Sequence, residues 1–258
     1  METLEGKNIV ITGGTGGLGF AIAERLITSG ANVVLADLPG ADGAGALAAL
    51  PQDPAQDKGR AIFVAMDVSD ADDVERAAAE AEARLGPIDG VVANAGIAPP
   101  TDAFDYDAQS WRRTMGVNVD GVFFTAQSFA KRMKAAGRPG SIVMISSIAG
   151  FRVVKPERHA AYGTSKAAVA HLASLLGVEW APHGIRVNAL APGYTATQIL
   201  KKAQESDPEM MANWLSQVPI ARLLEPAEIA NGVAFLLSDL ASGVTATTLS
   251  VDGGYRPA

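Results

Sequence analysis

The chain of 258 residues contains no cysteine. That excludes disulfides, thiolate metal sites and cysteine nucleophiles together, and it leaves the redox compartment open. Aromatic residues make up only 6% and charged residues 19%. So few charges beside 48% hydrophobic residues exclude a disordered chain, because this composition can bury a core. Basic charge is in deficit: 21 Lys and Arg face 28 Asp and Glu, a formal charge of −7. General binders of nucleic acid or anionic membranes need a basic face, so both classes are disfavoured. No apolar run approaches the roughly 18 residues of a membrane span. Met1–Glu5 has neither the basic nor the apolar stretch of a secretory signal, so a cytoplasmic protein is expected. The three histidines share no spacing, and no metal site is expected.

Glycine, by contrast, is in excess: 27 of 258 residues, about a tenth against a usual share of roughly 7%. Its placement follows the pattern of the chain. Short β-rich runs occur at Asn8–Thr12, Asn32–Asp37, Ala61–Asp67, Ile88–Asn94, Ser141–Ser146, Ile185–Ala191 and Thr247–Val251. Most are continuous Val/Ile/Ala stretches, as expected of strands covered on both faces. Helix-period segments lie between them, at Phe20–Ser29, Asp70–Leu85, Gln109–Ala136, Ala161–Ala181 and Pro226–Ser238. The third reads as two helices or one broken one. Gly40–Lys58 reads as a helix followed by a surface loop. Strand–helix alternation predicts an α/β fold, a Rossmann-like, doubly wound, seven-stranded parallel sheet with helices on both faces. No linker divides residues 1–258, so one domain is expected. The segment 194–224 carries Met210, Met211 and Trp214 between a strand and a helix, which suggests a substrate lid.

The first strand runs into Thr12-Gly13-Gly14-Thr15-Gly16-Gly17-Leu18-Gly19 and then a helix. A glycine-rich turn there lets backbone approach a pyrophosphate at the helix N-terminus. Gly14, Gly16 and Gly19 fit one glycine pattern; Gly13, Gly17 and Gly19 fit another. No Lys-Ser/Thr follows, which excludes a Walker A loop. Asp37 ends the second strand, where a carboxylate can accept both ribose hydroxyls of an adenosine. It would also repel a 2′-phosphate, by on the order of 4 kcal/mol per unit charge at ~4 Å and an effective dielectric of ~20. Leu38 follows it and position 16 is glycine, so no basic residue nearby in sequence invites a phosphate. NAD is therefore expected over NADP.

Tyr162 and Lys166 stand at i and i+4 on one helix face. A neighbouring ammonium favours a phenolate and would bring a tyrosine toward useful basicity. Ser146-Ser147 ends the fifth strand and Asn94-Ala95-Gly96 the fourth, both on the ligand side of such a sheet.

Taken in order, Thr12–Gly19, Asn94-Ala95-Gly96, Ser147, Tyr162-x-x-x-Lys166 and Pro192-Gly193 resemble the short-chain dehydrogenase/reductase family, over nearly the whole chain. The resemblance selects Gly13, Gly17 and Gly19 for the turn. It implies Tyr162 as general acid/base and Lys166 as the group that lowers its pKa and binds nicotinamide ribose. It implies Ser147 as a hydrogen-bond partner of the substrate oxygen. Asn118 would hold a water leading from Lys166 to solvent. Asp67 and Val68 would contact adenine, and Asn94, Ala95 and Gly96 would line the adenosine side. Pro192, Gly193, Thr195 and Thr197 would meet the nicotinamide end. Thr15, Gly16 and Leu18 complete the dinucleotide set. A homotetramer is implied, with small faces such as Ala167, Ala168, Ala170 and Ala173 pairing across subunits.

Ser147 and Tyr162 are 15 residues apart, two more than is usual in the family. That spacing, with Pro156 before the tyrosine, is similar to members acting on polyols and ketoses. Ser146 is expected to face the opposite side from Ser147. Arg152, Lys155 and Arg158, with His159, make a positive loop that could meet substrate, as could Tyr194; Ile97 and Ile199 are candidate pocket walls. Trp111 and Trp180 are expected to pack. The implied reaction interconverts a secondary alcohol and a ketone. The rival readings are a 3-oxoacyl thioester or cyclic-ketone reductase and, from another class, a non-catalytic dinucleotide-binding sensor. An enoyl reductase is disfavoured, because that branch spaces its Tyr and Lys more widely.

Overall fold

The computed structural model describes residues 4–51, 59–155, 158–197 and 208–256. Seven parallel strands form one sheet: β1 (Asn8–Thr12), β2 (Asn32–Asp37), β3 (Ala61–Ala65), β4 (Gly90–Ala93), β5 (Gly140–Ile145), β6 (Ile185–Pro192) and β7 (Thr248–Val251). Their order is β3-β2-β1-β4-β5-β6-β7. The order in which successive strands are added reverses between β1 and β4, which opens a crevice at the carboxyl ends of those two parallel strands.

Alternation along each strand divides the core into two layers. Val10, Val34, Val91, Ile142 and Met144 face one cluster, while Ile9, Ile11, Val33, Leu35 and Val143 face the other. The first cluster is completed by α3 (Ala71–Leu85), α5 (Gly121–Ala135) and α6 (Ala160–Trp180), through Val74, Phe129 and Val169. The second is completed by α1 (Gly17–Thr28) and α8 (Pro226–Leu237), through Ile22, Leu26 and Val233. Strands covered on both faces have no solvated side, which is why their sequences are continuously apolar. The ends of α3 are equally legible. Asp70 accepts from the amides of Asp72 and Asp73 at 2.9 and 3.3 Å, a cap worth about 1 kcal/mol.

The segment predicted as two helices or one broken one is two α-helices joined through a π turn. α4 (Ala108–Met115) runs into α5 through a π turn at Gly116–Asp120. Such a turn makes a helix bulge, and here it carries Asn118. α2 (Gly43–Ala49) follows β2, as expected of the start of Gly40–Lys58. In the suggested lid, Pro208–Ser216 forms α7, and Met211 and Trp214 are buried. Ile199 and Pro156 lie outside the described residues.

The alanine face of α6 is shared between two surroundings. Ala170 and Ala173 are buried, and Ala173 packs in the first core layer of the same chain. The exposed face instead carries Ala167, His171, Leu175 and Val178. Trp180 packs against the core as expected; Trp111 is 38% exposed and meets Tyr106 edge-on. Among the described residues, no helix is long and apolar enough to cross a membrane.

Candidate active site

The turn after β1 resolves the two overlapping glycine patterns. Gly13 and Gly17 have φ of +64° and +53°, a left-handed backbone that side chains resist. Gly19 has no such φ, but a Cβ there would collide with the Gly13 carbonyl oxygen and lie 2.8 Å from Asn94 Nδ2. Gly16, by contrast, is extended, with open space where a Cβ would stand. The required set is therefore Gly13, Gly17 and Gly19. The N-terminal turn of α1 starts at Gly17 with no side-chain cap, leaving amides for an anion.

Asn94 holds this turn from the side. Its Nδ2 donates to the carbonyls of Thr12 at 2.9 Å and Gly13 at 3.2 Å, while Thr12 Oγ1 accepts from the amides of Asn94 and Ala95. Asn94 therefore clips the end of β4 to the turn rather than lining the adjoining cavity. That cavity, of 570 Å³, is lined by Gly13, Asp37, Leu38, Asp67, Val68 and Gly96, among others. Glycines that admit no Cβ, free helix amides and two carboxylates beside an apolar wall fit the adenosine half of a dinucleotide.

Two residues of this cavity were hidden in the sequence. Arg112 and Arg113, from the end of α4, line it far along the chain from Asp37. The expectation that no basic residue is near Asp37 is thus corrected: none is near in sequence, but the fold brings two into the same cavity. Helix periodicity alone gave no signal, since arginines near a helix C-terminus are common for electrostatic reasons.

At the carboxyl end of β5, Ser147 and Tyr162 meet. The Ser147 side chain lies close enough to the Tyr162 hydroxyl to act on it, and its Oγ accepts from the amide of Ala149 at 3.2 Å. Burial holds the Tyr162 hydroxyl above its ordinary pKa of 10, and Ser147 opposes that shift. Lys166 is 3% exposed, and its Nζ donates to the Ile145 carbonyl at 2.8 Å, 5.7 Å from the centre of the Tyr162 ring. Lys166 Nζ is thus anchored on a backbone carbonyl, and burial is the larger influence on the tyrosine. Ser146, as expected, does not share this arrangement: its Oγ donates to the Lys166 carbonyl at 2.7 Å.

Asn118 is buried and fixed on both sides. Its Oδ1 accepts from the Ile97 amide at 2.8 Å, and its Nδ2 donates to the Ile97 carbonyl and to Ser165 Oγ. A Cβ on Gly96 would lie 3.2 Å from Asn118 Oδ1 and 3.4 Å from Lys166 Nζ, so these groups converge on one point. The π turn is what brings Asn118 there.

Burial lowers the Lys166 pKa from 10.5 to about 8. Below pH 8 the folded chain keeps a desolvated charge; between about 8 and 10.5 it has released a proton that the unfolded chain still holds. This group's contribution to stability therefore rises with pH across that window, by about 3 kcal/mol in total. Lys166→Met loses the charge-assisted bond to Ile145, worth about 2 kcal/mol. It is expected to stabilise the protein by about 1 kcal/mol at pH 7, and the gain should vanish or reverse at pH 9.5. Urea unfolding of both proteins at both pH values measures this; a gain that does not change with pH would contradict it.

The positive loop is largely engaged within the chain. Arg152 Nη1 donates to the Tyr255 carbonyl at 2.7 Å, with its guanidinium 4.8 Å from that ring's centre, and Arg158 pairs with Asp102 at 2.5 Å. Arg152 and His159 line one cavity of 660 Å³ with Gly150, Val154 and Gly163. His159 also meets the Tyr162 ring edge-on at 5.9 Å. Tyr194 belongs elsewhere: it stacks on Trp214 at 5.1 Å and meets Tyr255 edge-on, beside Ile148. Thr195 Oγ1 donates to the Gly193 carbonyl, and Leu224 bridges back to Thr195, pinning the base of the suggested lid.

Comparison with known proteins agrees with this geometry. A family model described as enoyl-(acyl carrier protein) reductase matches residues 13–256. Galactitol 2-dehydrogenase (L-tagatose-forming) of Cereibacter sphaeroides is 42% identical, over 98% of this chain and 96% of its own. L-rhamnose 1-dehydrogenase (NAD(P)(+)) of Azotobacter vinelandii is 37% identical, over 96% of each. A crystal structure of a short-chain type dehydrogenase/reductase from Mycobacterium marinum superposes with a TM-score of 0.89 at 34% identity, over 98% of this chain and 96% of that one. With the glycine turn, the Ser147–Tyr162 pair and buried Lys166 on one sheet edge, the chain is an NAD(P)-dependent oxidoreductase of alcohols and ketones and belongs to the short-chain dehydrogenase/reductase family.

Proposed function

We propose that the protein oxidises a secondary hydroxyl of a polyol to a ketone, and reduces the ketone in reverse, with NAD as the preferred cofactor. The observation that carries this reading is the convergence of Ser147, Tyr162 and buried Lys166, with Lys166 Nζ 5.7 Å from the centre of the Tyr162 ring. Two relatives named as sugar or sugar-alcohol dehydrogenases support the substrate class.

When bound, the nicotinamide supplies the hydride chemistry. Tyr162 exchanges the proton of the substrate oxygen, and Ser147 donates to that same oxygen as charge develops on it. Lys166 provides the positive charge that favours the phenolate and holds ribose hydroxyls. Asn118 fixes Ile97 and leads the proton path from Lys166 outward. Gly13, Gly16, Gly17, Leu18 and Gly19 would hold the pyrophosphate, and Asp37, with Thr15 bonded to it, Leu38, Asp67 and Val68 would hold the adenosine. Pro192, Gly193, Thr195 and Thr197 lie at the nicotinamide end. Segment 194–224 closes over substrate within a single domain spanning 1–258. The enzyme acts in the cytoplasm as a homotetramer; the apolar Leu175 and Val178 on the open face of α6 support subunit contact.

The test is NADH formation with purified protein across hexitols, pentitols, cyclic alcohols and 3-hydroxyacyl thioesters. Turnover of polyols, with NAD well ahead of NADP, is the expected result. Activity confined to thioesters would overturn the substrate class, and none with any alcohol would favour a sensor.

A further inference from the structure

The cavity beside Asp37 contains opposing charges. A carboxylate that repels a 2′-phosphate shares its walls with Arg112 and Arg113, which attract one. Identity of the residues alone therefore does not fix the outcome. What matters is whether the carboxylate stays where a phosphate would go.

The hydrogen bonds on Asp37 bear on that point. Oδ2 accepts from the Thr15 amide at 3.1 Å and from Thr15 Oγ1 at 2.6 Å; Oδ1 accepts from the Leu38 amide at 2.9 Å. Thr15 lies in the glycine turn and Asp37 at the end of β2, so the side-chain bond joins these two elements beside the cavity. A carboxylate with three donors is preorganised and cannot rotate away without leaving a charged acceptor unpaired. One lone pair on Oδ1 remains, room for one ribose hydroxyl rather than the two expected from the sequence.

The geometry points to Thr15 as a positioning residue for cofactor choice: its hydroxyl locks Asp37 in the orientation that excludes a 2′-phosphate. Without that lock, Asp37 can turn aside and the two arginines act on the phosphate unopposed. This inference rests on the reading of Asp37 as the ribose-binding carboxylate.

The test is binding to the cofactor-free protein, by fluorescence titration with NADH and NADPH, for wild type, Thr15→Ser, Thr15→Val and Asp37→Ser. Circular dichroism confirms that each variant is folded. Thr15→Val is expected to narrow the NADH/NADPH ratio of dissociation constants about tenfold, chiefly by tighter NADPH binding. Thr15→Ser, which keeps the hydroxyl, is expected to keep the wild-type ratio. If Asp37→Ser narrows the ratio and Thr15→Val does not, the inference falls while the reading of Asp37 stands. Equal weakening of both cofactors in Thr15→Val would reduce Thr15 to support of the turn and also overturn it. A ratio unmoved by Asp37→Ser would remove the reading of Asp37 itself, and the inference with it.

Discussion

Tyr162→Phe is expected to lower turnover by about three decades while the dissociation constant for NADH stays within about threefold of wild type. The substitution removes one oxygen and keeps the ring. Packing of His159 against that ring at 5.9 Å and of Lys166 Nζ at 5.7 Å is therefore retained. What disappears is the proton donor and acceptor beside Ser147. Because burial holds the phenol above its ordinary pKa, the wild-type rate of alcohol oxidation is expected to climb with pH until the phenolate forms. The direction follows from the sign: oxidation needs the deprotonated base, and burial makes it scarcer at neutral pH. The Tyr162→Phe variant has no such group, so its residual turnover should lose that dependence. Stopped-flow rates across pH, with a parallel NADH titration, provide both readings.

Gly19→Ala should have the complementary effect, removing binding rather than chemistry. The added Cβ would collide with the Gly13 carbonyl oxygen and press on Asn94 Nδ2 at 2.8 Å. Relief requires the turn or the start of α1 to move, and either displaces the amides offered to the pyrophosphate. Overpacking of this kind costs about 1–3 kcal/mol of stability. NADH affinity is expected to fall at least about a hundredfold, since a preorganised turn is lost along with close backbone approach. Gly16→Ala is the matched comparison: its Cβ would meet nothing within 4 Å, and its backbone is extended. It should fold normally and bind within about tenfold of wild type. Equal losses in the two variants, measured by isothermal titration and thermal melting, would contradict the steric account.

These two predictions draw on what was most legible in the sequence. The strands β1 and β2 lie at the spans their Val/Ile runs imply, because strands covered on both faces show no competing polar signal. The Asp70 cap and the glycine turn are equally local, each readable from a few neighbouring residues. Less legible were features made by long-range assembly. The break between α4 and α5 was readable, but the π turn that makes it, Gly116–Asp120, has no period of its own. Arg112 and Arg113 reach the Asp37 cavity only because α4 passes the carboxyl end of the sheet. Arg152 was readable as a loop cation, but its partner, the Tyr255 carbonyl, is 103 residues away in the chain. The Tyr162–Lys166 spacing gave the pair but not the direction of its electrostatics. Burial and the Ile145 carbonyl, neither visible from spacing, dominate in the cofactor-free protein.

The central claim is direct hydride transfer from a polyol carbinol carbon, with the proton handled by Tyr162. A polyol active in the screen, deuterated at its reacting secondary carbon, tests it most directly when the reduced cofactor is analysed by NMR. One deuteron on nicotinamide C4 for each ketone formed is expected with the wild type, and neither label nor ketone above trace with Tyr162→Phe. Deuterium released to water, or full labelling by Tyr162→Phe at the wild-type rate, would contradict the account.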